Sequence, residues 1–243
     1  MVGFVYCEVI KVIMNLIIVV SHFNDDLSWI VNQTKYDYIV YSKNESSVLQ
    51  YKIEPSKLKI MINRGMEASA YLKFIIDNYN NLPDHVAFCH GHEFSWHQAP
   101  NKTIIDHLIG YNGEEYYPLN DPYNRNLLHD DCLDPRVWSE VKQCCIDINL
   151  EIPSKLEHTH SSQFIVTKQC ILNNPVYFYL NCYNWLMNQT VMSDYNADRA
   201  FEQLWYYLLT GKNIEPRWCG YVPSIGNCDL TKIEKRRISG TYY

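Results

Sequence analysis

Four short apolar runs, each closed by a polar loop, constrain this chain more than any other feature. Residues 16–20 (LIIVV), 38–41 (YIVY), 58–62 (LKIMI) and 86–89 (VAFC) are rich in β-branched and aromatic side chains. Runs of this length without strict alternation suit strands buried on both faces of a parallel sheet. Helical periods separate them. Leu27, Trp29, Ile30 and Val31 follow the first run, with Asp25 or Asp26 placed to cap their helix. Ala70, Leu72, Phe74, Ile75 and Ile76 lie in a helix predicted over 67–79. This β-α-β-β-α-β order implies an α/β fold, a mixed and mostly parallel sheet flanked by helices. Ligands of such sheets bind outside the carboxyl ends of the strands, which singles out three polar loops, 21–26, 63–67 and 90–97.

The second half reads differently. Residues 111–135 form a long ordered loop, followed by a helix over 136–146, a strand over 162–166 and helices over 175–186 and 198–209. Residues 211–243 show no period and end in a basic run, Lys232 to Arg237. With 243 residues and no Pro/Gly/Ser-rich linker, a single domain over 14–243 is expected, with residues 1–13 as an N-terminal extension ahead of Met14. The apolar stretch 9–20 is broken by Lys11 and Asn15 and is too short to span a bilayer. A degenerate signal anchor, and hence a luminal location, is the competing reading. Nine cysteines without a CxxC pair suit a reducing compartment and a cytoplasmic location. A net charge of −6 argues against nucleic acid as the main partner. Twenty Tyr and six Trp suit sugar stacking and an ordinary aromatic core equally.

Three groups of residues carry the chemistry. His90 and His92 flank Gly91 at the end of a buried strand, and His97 is near enough to join them. Neutral imidazoles at this spacing bind a transition metal, or act without one as hydrogen-bonding groups; Glu93 adds a carboxylate. Asn63-Arg64-Gly65 opens a helix whose free N–H groups suit phosphate, with Arg64 offering a bidentate contact. The same residues also make an ordinary tight turn, with Gly65 in a conformation other residues avoid. His158-Thr159-His160 reads as a surface loop. Glu202 borders the apolar stripe of Phe201, Leu204, Trp205 and Leu208, as a boundary residue or, beside a pocket, as a general base.

Four blocks carry a resemblance. VVSHFNDDLSWI (19–30), NRGMEASAYLKFIIDNYNNLPDHVAFCHGHEFSWH (63–97), SSQFIVTKQCILNNPVYFY (161–179) and RAFEQLWYYLL (199–209) resemble successive blocks of a family known as a domain of unknown function. That family is similar to GT-A glycosyltransferases, so the resemblance implies a GT-A-like, Rossmann-like fold. His90-Gly91-His92 stands where the GT-A pattern has Asp-x-Asp. Residues 162–168 are similar to the S-Q-W-x-x-L-[ST]-[RK] block of branching N-acetylglucosaminyl- and xylosyltransferases, which work without metal and use a Glu beyond the block as base.

The resulting expectation is a glycosyltransferase that moves a sugar from a nucleotide-sugar co-substrate to a hydroxyl of a glycan or protein acceptor. His22, Asn24, Asp25, Asn63, Arg64, Gly65, Glu67, His90, His92, Trp96 and His97 are expected on the donor side. Gln163 is expected on the acceptor side and Glu202 as the catalytic base. His90 and His92 would hold a divalent transition metal, if there is one. Two alternatives stay open: a His-liganded metal-dependent hydrolase or oxygenase, and an inactive carbohydrate- or protein-binding module of the same fold.

Overall fold

The computed structural model describes residues 15–99, 102–132 and 135–216. The proposed extension 1–13, Met14 and the basic run 232–237 lie outside them. The elements are β1 (Leu16–His22), α1 (Ser28–Val31), β2 (Asp37–Ser42), α2 (Glu45–Val48), β3 (Leu58–Ile60), α3 (Met66–Asn78) and β4 (His85–His90). There follow α4 (Ile104–Ile109), β5 (Tyr116–Pro118), β6 (Arg125–Leu128), α5 (Pro135–Asp147), β7 (Leu156–Thr159), β8 (Phe164–Thr167), α6 (Lys168–Leu172), α7 (Val176–Met187) and α8 (Asp194–Thr210). Among these helices none is long and apolar enough to cross a membrane.

A six-stranded mixed sheet runs in the order β3-β2-β1-β4-β8-β5. The first four strands are mutually parallel, and β8 lies antiparallel to both β4 and β5. The α/β reading therefore holds: a mostly parallel, Rossmann-like sheet flanked by helices. Side chains alternate across the central strands. Val19, Tyr41, Val86 and Phe88 pack under α3, α5, α7 and α8, whereas Ile18, Val20, Val40, Ala87 and Cys89 pack against Ile30, Val48, Ile104 and Leu108 on the other face. Both faces are thus covered, as the unbroken apolar runs required. Tyr71, Phe88, Phe164 and Trp205 form a ring cluster with centroids 4.8–6.1 Å apart, directly under the carboxyl ends of β1 and β4. Burying each such ring contributes about 1.5–3 kcal/mol and makes a rigid floor.

Three expectations need correction. Residues 111–135 are not one loop: β5 extends the main sheet, and β6 pairs with β7 in a second, two-stranded sheet. Both strands are short, three and four residues, within a stretch rich in Tyr, Asn, Asp and Pro that masked them. The 58–62 run is a strand only to Ile60, and Ile60 and Ile62 are exposed, because β3 is an edge strand. His158 is not on a surface loop but buried in β7.

Gly65 begins α3 in the left-handed region at φ 65°, and a Cβ there would lie 2.7 Å from Leu186 Cδ2. Conformation and space both demand glycine. Cys89, Cys144, Cys145, Cys170 and Cys182 are free thiols.

Candidate functional site

Topology brings the polar residues together. Strand order reverses between β1 and β4: β1 leads outward to β2 and β3, and the chain then crosses by α3 to β4 on the other side. Such a reversal opens a crevice at the carboxyl ends of the strands. Ser21 pairs with His90 and His22 with Ser42, so the loops after β1, β2 and β4 leave at one edge. Because β8 is antiparallel, its first residue, Phe164, pairs with Phe88 near that edge. Gln163 and, beyond the end of β5, Asn120 therefore arrive there too.

At this edge His90, His92 and His97 form a near-equilateral triangle, with ring centroids 5.1, 5.3 and 5.7 Å apart. One ring nitrogen from each lies within 4.8 Å of the others. The Nε2 atoms of His90 and His92 are buried without a hydrogen-bond partner. Each ring has a neighbour behind it. His92 Nδ1 faces Asp25 Oδ1 at 3.6 Å, and His90 Nε2 faces Glu67 Oε1 at 3.4 Å. His97 Nδ1 lies 2.7 Å from Asn120 Oδ1. The Asn120 amide Nδ2 donates to the carbonyls of His160 and Ser161, at 2.9 and 2.7 Å. Its Oδ1 is therefore an acceptor, His97 Nδ1 must carry the proton, and the His97 lone pair sits on Nε2. Burial depresses His90 and His97 to about 3, so both rings are neutral.

Glycine at position 91 is needed for space, since its φ is not in the left-handed region. A Cβ there would meet Asp25 Cβ and Cγ at 2.8 Å. Two loops approach closely here, fastened by Trp29 Nε1 donating to the Gly91 carbonyl at 2.7 Å. Asp25 does not cap α1; Asp26 accepts from Ser28 N instead, at 2.9 Å. The His92 contact holds the Asp25 carboxyl below its usual range.

A second layer lies across the crevice on α3 and α8. Asp194, Asp198 and Glu202 stand at helical spacing on α8. Asp198 is buried and accepts from Ala68 N at 2.9 Å, and Asp194 accepts from Gly65 N at 2.7 Å. Two of the N–H groups at the start of α3, expected for phosphate, are thus taken by carboxylates. Arg64 donates to the Gln189 carbonyl, with its Nε 3.9 Å from Asp194. It braces the α7–α8 connection, so the bidentate phosphate contact expected of it is not what its side chain makes. Arg64→Ala is accordingly expected to lower stability by about 0.5–1.5 kcal/mol. Urea unfolding checks this, and an unchanged midpoint would show the contact to be idle.

Glu202 Oε1 accepts from Ser161 N at 3.0 Å and faces His160 Nδ1 at 3.3 Å. Burial, then Glu67, raises it to about 7. Burial likewise raises Glu67 and Asp198. Lys43, one residue past β2, faces these acids. It is 8% exposed, its Nζ has no hydrogen-bond partner, and burial lowers it to about 8. Trp96 is 69% exposed, with its ring 5.5 Å from that of His97 and 5.4 Å from that of His160.

Several expected contact residues have structural duties. His22 is buried between Ser42 Oγ (2.9 Å) and the Asp25 carbonyl (3.2 Å), holding the β1 loop. Asn24 is exposed and bonded to Asn44, and Asn63 is exposed. Gln163, expected toward an acceptor, is buried with both ends occupied. Its Oε1 accepts from His90 N at 3.0 Å and its Nε2 donates to Asn120 Oδ1 at 3.1 Å. It aligns the imidazoles from behind. Sequence reasoning missed Lys43, Asn120, Asp194 and Asp198 altogether, and for His160 it missed the carboxylate partner.

No curated protein matches the chain. The profile of one family matches residues 17–109 and 122–221. These segments contain every residue of the crevice named above except Asn120. The chain thus belongs to the family described as protein of unknown function (DUF3431).

Proposed function

We propose that this chain is a glycosyltransferase, moving a sugar from a nucleotide-sugar donor to an acceptor hydroxyl. The observation that carries the reading is a carboxyl poised near neutrality, Glu202, in the same crevice as an unpartnered buried ammonium, Lys43. The crevice lies at the topological switch point, where α/β sheets bind nucleotides. A general base works best with a pKa near the operating pH, so Glu202 suits deprotonation of an acceptor hydroxyl. Lys43 suits the negative charge that develops on a departing diphosphate. The exposed indole of Trp96 offers a face for a sugar ring beside His160, which faces Glu202. The resemblance of residues 162–168 to a block of branching glycosyltransferases supports this reading at the level of fold analogy.

One further observation favours a second reading. The triangle of imidazoles also suits a metal-dependent hydrolase, in which water takes the acceptor's place.

A thermal-shift panel of nucleotide sugars, with and without Mn²⁺ and Zn²⁺, tests the first reading, because a ligand that binds the folded state raises its melting temperature. At least one donor is expected to raise the wild type by several degrees and to leave Lys43→Met unmoved. No shift with any donor under any ion condition removes the transferase reading. Release of free sugar at the same rate with and without acceptor hydroxyls selects the hydrolase.

A further inference from the structure

We infer that His90, His92 and His97 form a tridentate centre for one divalent transition metal of the zinc and cobalt class, with a coordination position open to the crevice. Three independent observations meet here. Three ring nitrogens lie mutually within 4.8 Å, whereas a tetrahedral ion with bonds of about 2.0 Å needs nitrogens roughly 3.3 Å apart, within reach of small ring rotations. The Nε2 atoms of His90 and His92 are buried and lack partners, which is costly for a polar atom unless something fills the role. His92 and His97 each also turn their Nδ1 to an orienting oxygen.

That last feature separates a metal centre from a chance cluster. Ligating histidines characteristically turn their other nitrogen to a carboxylate or a carbonyl oxygen. Asp25 stands behind His92 Nδ1 at 3.6 Å, and Asn120 Oδ1 behind His97 Nδ1 at 2.7 Å. Gln163 fixes the Asn120 oxygen from the side and the His90 backbone from below. The hydrogen-bond network thus selects the His97 tautomer whose lone pair is on Nε2. It does so through groups whose donors are unambiguous: the His90 N–H, and the Asn120 amide against two carbonyls.

The donor set decides the metal. Three imidazole ligands suit Zn²⁺, Co²⁺, Ni²⁺ or Cu²⁺, whereas Mg²⁺ and Ca²⁺ prefer oxygen ligands. The inference stands on the histidines alone and not on the transfer of a sugar.

The experiment uses the full chain, stripped with a chelator and titrated with Zn²⁺, Co²⁺ or Mg²⁺ in a calorimeter, with bound metal counted by elemental analysis. One Zn²⁺ per chain is expected, together with visible Co²⁺ absorption of the intensity typical of a low-coordinate site, and no heat with Mg²⁺. His97→Ala is expected to abolish Co²⁺ absorption. Asn120→Ala, which removes only the orienting oxygen, should weaken Zn²⁺ by about 10–100-fold. His129→Ala, on the connection between β6 and α5, should bind as the wild type does. Circular dichroism melts identify any variant that fails to fold. Should His97→Ala not fold, His92→Gln, whose ring lies partly open to solvent, serves in its place. Stoichiometric Zn²⁺ in folded His97→Ala or His92→Gln, equal affinity for Mg²⁺, or no ion bound by folded wild type would each overturn the centre. Zn²⁺ bound with no nucleotide-sugar affinity would leave it standing and remove only the transferase reading.

Discussion

Glu202→Gln is expected to melt above the wild type at pH 8 and to turn over at least about 100-fold more slowly. The two effects share one cause. Glu202 is buried beside Glu67, and its carboxyl is raised to about 7. A raised carboxyl favours the protonated form in the folded state. The fold is therefore most stable, as far as this group is concerned, below the unfolded value near 4.5. That stability is lost as pH climbs from 4.5 to about 7 and is flat above it. The interval corresponds to roughly 3 kcal/mol, or on the order of 5–10 °C in a chain of this length. Glutamine carries no charge and keeps an oxygen for the Ser161 amide, so it escapes the penalty. It cannot accept a proton, so turnover falls. Calorimetric melts at pH 4.5 and pH 8 check the first half: the variant and the wild type should agree at the lower pH and separate at the higher. A wild-type kcat/KM that climbs with pH through about 7, absent in the variant, checks the second. Equal melting at both pH values would show that the buried carboxylate is not strained, and an undiminished rate would show that it is not the base.

Much of the fold was legible because it rests on runs of one residue type. Residues 16–20 and 86–89 can hardly be anything but interior strands, and from them the edge where the loops gather follows by topology. His90, His92, His97 and Glu202 stood out because imidazole and carboxylate next to apolar stretches are conspicuous. The rest was hidden for physical reasons. Asp194 and Asp198 sit four residues apart on an amphipathic helix, the pattern of an ordinary solvated face. Only the packing of α8 across α3 turns them into caps. Lys43 looks like any charge after a strand until both flanking layers bury it. Asn120 acts through an amide, which leaves no sequence signature, and Gln163, expected toward an acceptor, instead holds the Asn120 oxygen that fixes the tautomer of His97. At Arg64 a helix N-terminus suggests an anion, and two carboxylates that reach that N-terminus, Asp194 and Asp198, are the protein's own.

The segment after α8 was the least legible, since residues 211–243 have no period, and one residue in it carries the largest stability effect expected here. Glu215→Ala should cost about 3–5 kcal/mol. Glu215 is 1% exposed. Its carboxylate accepts from Thr159 N at 3.1 Å and from Thr159 Oγ1 at 2.6 Å, and pairs with Arg125 Nη1 at 3.3 Å. Its carbonyl accepts from Arg125 Nη2 at 2.7 Å. Removing the carboxylate leaves a guanidinium side chain that is 5% exposed with less compensation, and strands two donors on Thr159. A buried charge stripped of its partner is far more damaging than the intact pair is stabilising. Arg125→Met with Glu215→Leu should therefore recover part of the loss, though not the share due to Thr159. The damage should also reach the crevice. Thr159 ends β7 and is followed by His160 and Ser161, the residues that hold Glu202. In the single variant, turnover measured well below the melting temperature should fall together with stability. Chemical unfolding of the single and double variants decides the matter. A Glu215→Ala midpoint indistinguishable from the wild type would show that this segment adds nothing to the fold.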